Sequence, residues 1–187
     1  MKTHRMVATG MAFALLAGSV LAAGTVKSGP EVGKQLAGPF HPLNVTGESA
    51  GKKNCLYCQN GNNPVAMIFA RDLNEPVTKL IKKIDAATVE HADAKMGSFV
   101  VFLNDNEDLQ KKAKEVAENE SIKKCVLSID NPAGPKGYDV SKDADVTVVL
   151  YVKKNVKANH AFKKGELNDE AIDKIVADVK KILPQKK

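Results

Sequence analysis

The stretch Asn54-Cys55-Leu-Tyr-Cys58-Gln-Asn-Gly61-Asn-Asn-Pro64-Val65-Ala-Met-Ile-Phe-Ala70 sets a C-x-x-C just ahead of an unbroken apolar run. The run from Val65 to Ala70 has strand length and no polar alternation, the pattern of a strand covered on both faces. Two thiols at this spacing near strand-helix-strand patterning read first as a redox dithiol, because neighbouring thiols share a thiolate and close into a reversible disulfide. Here the pair lies before the strand, so its chemistry depends on the end of the sheet at which it emerges.

Downstream, Asn74 reads as an N-cap with Glu75 and Pro76 in the first turn, and Val77, Leu80, Ile81, Ile84 and Thr88 fall on one helical face. Ser98-Phe-Val-Val-Phe-Leu103 repeats the buried-strand pattern, and a helix follows over about residues 107–118 with Leu109, Ala113, Val116 and Ala117 turned inward. Residues 125–129 form a third strand and 146–152 a fourth; after a turn at Lys153-Lys-Asn155, residues 156–162 return as a hairpin partner. A last helix starts at Asn168, carries Ile172, Ile175, Val176, Val179, Ile182 and Leu183 on one stripe, and stops at Pro184. This order predicts an α/β domain with a mixed central sheet and helices on both faces.

Upstream, residues 40–45 read as a short strand that Pro42 confines to an edge, and the Gly-, Asn- and Gln-rich residues 46–64 predict a loop. Residues 23–40 predict an extended leader. Before them, Lys2, His4 and Arg5 precede the apolar stretch 6–20, too short to span a bilayer, and Val20-Leu-Ala22 suits a signal peptidase. The expected organisation is a signal peptide at 1–22, a leader at 23–40, the domain at 41–184 and a basic tail at 185–187. The protein is expected to be exported, periplasmic or secreted, with no membrane span after cleavage.

The 187-residue chain carries a formal net charge of +6, and signal cleavage would remove only Lys2 and Arg5 from the basic side chains. The lysines are scattered, Trp is absent, and no arginine-aromatic interleaving occurs, so the charge describes a solvated surface and no nucleic-acid partner is expected. Three cysteines are too few for a disulfide-built scaffold, which leaves packing to hold the fold.

Val32-Gly33 followed by Pro39-Phe40, then Val65–Ala70, then Tyr138-Asp-Val140 ahead of a strand, hairpin and terminal helix, resemble the thioredoxin-like superfamily over about residues 31–183. The likeness is to its redoxin branch of peroxiredoxins and exported thiol-disulfide proteins. It implies a thioredoxin-like fold, thiol-disulfide chemistry and a protein thiol or disulfide as substrate. It also implies a C-x-x-C after the central strand, where the next helix lowers the thiol pKa. Those positions read Arg71-Asp-Leu-Asn-Glu-Pro76. The family's cis-proline ahead of the strand near Val146 is replaced as well, by Asp143, Ala144, Asp145 or Val146, since no proline lies between Pro135 and Pro184.

Cys55 and Cys58 are therefore expected in the loop leading into the central strand, at the sheet end opposite the family's site. Three chemistries suit them. They can form a redox pair in which one sulfur attacks and the other resolves, aided by Lys52 and Lys53. They can form a structural disulfide, although so small a loop removes little unfolded-chain entropy. They can also supply two metal ligands, with His160 or Cys125 as the further partner. His41, His91 and His160 are isolated in sequence, and Gln59 after Cys58 breaks the covalent-haem pattern C-x-x-C-H, so neither metal nor cofactor is expected. Cys125, at the start of a strand, reads as a buried packing thiol.

Gly47-Glu-Ser49-Ala-Gly51 matches the hydrolase string G-x-S-x-G without the strand-turn-helix setting that string needs. Asn44-Val-Thr46 and Asn119-Glu-Ser121 match glycosylation acceptors of a kind that arises by chance, and Asp143 with Asp145 reads as a solvated turn. Two functions follow: an exported thiol-disulfide oxidoreductase working through Cys55 and Cys58, or a non-catalytic thioredoxin-fold binding or scaffold protein in which the pair is a structural disulfide.

Overall fold

All six side chains of Val65–Ala70 (β2) are buried, and they alternate between two separate cores. Ala66, Ile68 and Ala70 join the first core; Val65, Met67 and Phe69 join the second. A strand that offers apolar groups to both faces is stable only at the centre of a layered sheet, and β2 sits there. The computed structural model describes residues 26–104 and 106–184; the expected signal peptide and basic tail lie outside the described residues.

Gly97–Leu103 (β3) pairs parallel with β2, and Cys125–Asp130 (β4) pairs parallel with β3. Val146–Val152 (β5) runs antiparallel on the other side of β2, and Asn155–Phe162 (β6) folds back on β5. Leu43–Asn44 (β1) caps β4 at the edge, antiparallel. The six-stranded order is β1-β4-β3-β2-β5-β6, a mixed sheet. Leu56–Gln59 (α1) precedes β2; Glu75–Glu90 (α2) and Glu107–Asn119 (α3) are the crossovers between parallel strands; Asp169–Asp178 (α4) follows the hairpin.

The three longer helices share the first face. Val77, Leu80, Ile81 and Ile84 of α2, Leu109, Ala113 and Ala117 of α3, and Ile172 and Ile175 of α4 pack in the first core. Each helix opens on an asparagine whose side-chain oxygen accepts from a first-turn amide: Asn74 from Val77, Asn106 from Asp108 and Asn168 from Ala171. Among the described residues the second face has no long helix. Leu36 and Phe40 of the extended segment before β1, Leu56 of α1, and Tyr138 close over Met67, Phe69, Phe99 and Tyr151. Phe40 and Tyr138 meet edge-to-face at 5.0 Å, and the Tyr138 hydroxyl donates to the Gly38 carbonyl at 2.6 Å. The extended segment is laid along the sheet by further bonds: the Gly33 amide donates to Val156, the Leu36 amide to Lys154, and the Asn159 amide group to the Ser28 and Pro30 carbonyls.

One difference from the sequence expectation concerns residues 46–64, read there as loop throughout. They contain α1, because a side-chain acceptor at Cys55 and a polar Asn60 at the far end let one helical turn form around buried Leu56. Among the described residues no helix is long and apolar enough to cross a membrane.

A second buried anchor sits on the first face. The Asp85 carboxylate of α2, 6% exposed, accepts from the backbone amides of Lys123, Lys124 and Cys125, which locks α2 to the start of β4. Asp85→Ala removes the acceptor that these three amides share. It is expected to lower unfolding free energy by about 3 kcal/mol, with Asp85→Asn intermediate, measured by urea denaturation.

Candidate functional site

Cys55 and Cys58 are joined as a disulfide, with α-carbons 5.2 Å apart. Cys55 occupies the N-cap of α1, and its sulfur accepts from the Cys58 amide at 3.1 Å. The two ends of the pair differ in access: Cys55 is 7% exposed, whereas Cys58 is exposed. Leu56 between them is 2% exposed and pins α1 to the second core. The site is thus one helical turn whose inward residue is core, whose cap is one sulfur and whose outer side is the other.

Several contacts hold this turn without the disulfide. The preceding loop is stitched to β1 by the Asn54 amide donating to the Pro42 carbonyl and by a bridge between Leu43 and Lys53. At the far end, Asn60 donates to the Leu56 carbonyl at 2.8 Å and lies on Gly97. A β-carbon at residue 97 would fall 1.8 Å from the Asn60 oxygen, so the first residue of β3 has to be glycine. The Gly97 amide donates to the Pro64 carbonyl at 2.9 Å. These bonds place the pair beside the starting ends of β2 and β3.

The β5–β6 hairpin reaches the same end. The Lys153 amide donates to the Asn62 carbonyl at 3.1 Å. The Lys154 ammonium sits 3.6 Å from the centroid of the Tyr57 ring and donates to the Tyr57 carbonyl. Partial burial lowers the Lys154 pKa. Tyr57 and Lys154 lie 97 residues apart, so no local signal joins them in the sequence; the turn was legible, its partner was not.

At the opposite end, where β2 finishes, stands Arg71. Its guanidinium donates from Nε to the Ala144 carbonyl, from Nη1 to Pro132 and from Nη2 to Ser141, at 3.0, 3.0 and 2.9 Å. Its own amide donates to the Asp145 carbonyl, and Asn104 donates to the Arg71 carbonyl. Arg71 therefore clamps the 131–145 connection onto the sheet, in the region where the resemblance implied a dithiol and a cis-proline. All peptide bonds among the described residues are trans. Burial raises the Asp145 pKa, Asp72 adding to the rise while Lys164 and Arg71 oppose it.

The remaining candidates lie elsewhere. Cys125 packs in the first core with Ala66 and Ile68, whereas α1 packs in the second, so the sheet stands between that thiol and the pair. Burial pushes the Cys125 thiol up to about 12, with the Ser98 hydrogen bond pulling down and the Asp85 carboxylate pushing up. His160 on β6 contacts Asp178 at 3.0 Å, His91 ends α2, and His41 is exposed. Among the described residues no three His, Cys, Asp or Glu side chains are grouped to hold a metal. Ser49 lies on a turn after β1, separated from α1 by the bridge at Lys53, Asn44 is 1% exposed inside β1, and Asp143 is exposed on its turn.

No family model matches the chain, and no curated protein sequence does. Solved structures do. A proposed protein disulfide isomerase from Bacteroides thetaiotaomicron is 15% identical, with 86% of this chain and 96% of that one covered at a TM-score of 0.64. The peroxidoxin BcpB from Mycobacterium tuberculosis is 17% identical, with 82% and 98% covered at 0.56. The thioredoxin domain of a thiol-disulfide oxidoreductase from Bacteroides vulgatus is 10% identical, with 80% and 99% covered at 0.52. The α/β fold expected from the sequence is thus a thioredoxin-like fold, and it carries a C-x-x-C disulfide.

The contrast between the cysteines is directly measurable. After reduction, iodoacetamide is expected to label Cys58 of the folded protein first, and Cys125 only when denaturant opens the first core, as read by peptide mass mapping.

Proposed function

We propose that this thioredoxin-fold protein exchanges thiols and disulfides with protein substrates through Cys55 and Cys58. The observation that carries the proposal is the asymmetry of the pair: one exposed residue, one buried sulfur already accepting an amide hydrogen bond. An incoming substrate thiolate attacks the Cys58 sulfur along the S–S axis. A substrate–Cys58 disulfide forms, the Cys55–Cys58 bond breaks, and its electron pair leaves on Cys55 as a thiolate facing the Cys58 amide. A second substrate thiolate then attacks the substrate sulfur of the mixed disulfide and releases Cys58. The substrate leaves oxidised, and the protein holds both electrons as a dithiol. In reverse, Cys58 thiolate attacks a substrate disulfide and Cys55 resolves the mixed species.

The second reading is a scaffold in which the pair only clips a loop, and the Arg71 clamp favours it, because the fold's usual reactive end is closed by structural bonds. Against it stands the small worth of a clip across two residues, in a turn already held by Leu56 and by Asn60 on Gly97. The exchange reading also supposes an oxidising compartment, consistent with residues 1–22 acting as an export signal.

Two measurements test this. The Cys55–Cys58 couple is expected above about −300 mV, in the range of thiol exchangers, and Cys55→Ser is expected to trap a mixed disulfide on Cys58 while Cys58→Ser traps none. A potential far below that range with no trapped species leaves the clip. For export, the mass of the protein recovered from its host is expected to begin at Ala23.

A further inference from the structure

We infer that Lys154 is a positioning residue of the pair, acting through the Tyr57–Cys58 peptide to hold the Cys55 sulfur as a thiolate. The inference rests on the exchange reading above and names what sets its leaving group.

One peptide unit carries both contacts. Its carbonyl, on Tyr57, accepts from the Lys154 ammonium; its amide, on Cys58, donates to the Cys55 sulfur at 3.1 Å. A trans peptide is planar, with C=O and N–H pointing in opposite directions, so the ammonium, the amide and the sulfur lie in sequence along one dipole. A cation on the oxygen polarises the amide and strengthens the N–H donor, as in other hydrogen-bonded chains. The positive charge adds its own attraction for a sulfur anion. Lys52 and Lys53, which precede Cys55 in the chain, are exposed and screened by water. Lys154 reaches the sulfur by a bonded path through the Tyr57–Cys58 peptide.

The backbone shows that this placement has a cost. Lys153 and Lys154 form the two-residue turn between β5 and β6, with φ of 51° and 64°. Left-handed residues in such turns are favoured as Asn-Gly, and a lysine is disfavoured there because its β-carbon crowds the backbone. Glycine would relax the turn at either position, yet only a lysine at 154 can place an ammonium on the Tyr57 ring and carbonyl. Lys95, Ser121 and Asp139 also take a positive φ, so left-handed backbone is not peculiar to this turn; what sets Lys154 apart is the contact of its side chain with the turn that carries the pair.

The test titrates Cys55 alone. In a Cys58→Ser background, burial raises the Cys125 pKa to about 12, so thiolate absorbance at pH values well below that reports Cys55. Lys154→Met keeps the stem over Tyr57 and removes the charge; it is expected to raise the Cys55 pKa by about one unit, whereas Lys154→Arg leaves it within a few tenths. In the two-cysteine protein, Lys154→Met is expected to shift the exchange constant about tenfold toward the disulfide, about 30 mV, at a pH above the thiol pKa of both proteins. That measurement also serves if the Cys58→Ser protein does not fold. Equal Cys55 pKa values, or equal potentials, for Lys154 and Met in folded protein would overturn the inference. Its failure is separable from that of the exchange reading: the absolute potential judges the reading, and the difference between Lys154 and Met judges the relay.

Discussion

The structure depends on β2 having no side that faces water. Its six side chains demand two cores, and the chain supplies them by unlike means: three amphipathic helices on one face, and on the other an extended segment, one helical turn and Tyr138. Each buried aliphatic or aromatic group of that second face contributes roughly 1.5–3 kcal/mol by leaving water, so Leu56 cannot be spared from it. This requirement builds the turn on which the cysteines ride. With 3.6 residues per turn, fixing Leu56 inward leaves positions 55 and 58 on one side of the turn, close enough to join.

The two ends of the parallel strands carry different features. Where β2 ends, Arg71 donates from each of its three guanidinium nitrogens to carbonyls of the 131–145 connection. A guanidinium so engaged is a structural tie, because its fork matches fixed acceptors. Where β2 begins, bonds from Asn54, Asn60 and Lys154 hold the turn that carries the pair, and Cys58 is exposed. Both ends are tied down, and the exposed cysteine lies at the end where β2 begins.

Much of this was legible in the sequence because the signals are local. The unbroken runs at 65–70 and 98–103, the asparagine caps at 74 and 168, and the stripe through Ile172 and Ile175 depend only on near neighbours, and each element stands where its pattern put it. The C-x-x-C and its position ahead of β2 were equally plain. What escaped depends on distant pairs. The turn α1 is too short for a periodic signal and is stabilised by a cysteine sulfur, an unusual cap. The contact of Tyr57 with Lys154 spans 97 residues, and the three acceptors of Arg71 lie 61 to 73 residues away. Nor does spacing reveal which cysteine is covered; burial against the second core decides that Cys58 is the outward one.

Thiol exchange asks for little that is particular to one end of a sheet. It needs a sulfur that a substrate can approach in line, a second sulfur whose anion is stabilised as it leaves, and a frame that keeps the two within bonding distance. Redox proteins of this fold draw the anion's stabilisation from the start of a long helix after the central strand. The turn α1, of four residues, has no macrodipole of that size to offer, so any stabilisation has to come from discrete donors. The Cys58 amide is one, and the Lys154 ammonium behind it supplies charge where a helix would have supplied aligned peptides. On the proposed chemistry the pair is tuned from the β5–β6 hairpin, and a substrate chain meets Cys58 beside the Lys153–Lys154 turn. The 131–145 connection, at the other end of β2, is the segment that Arg71 ties down.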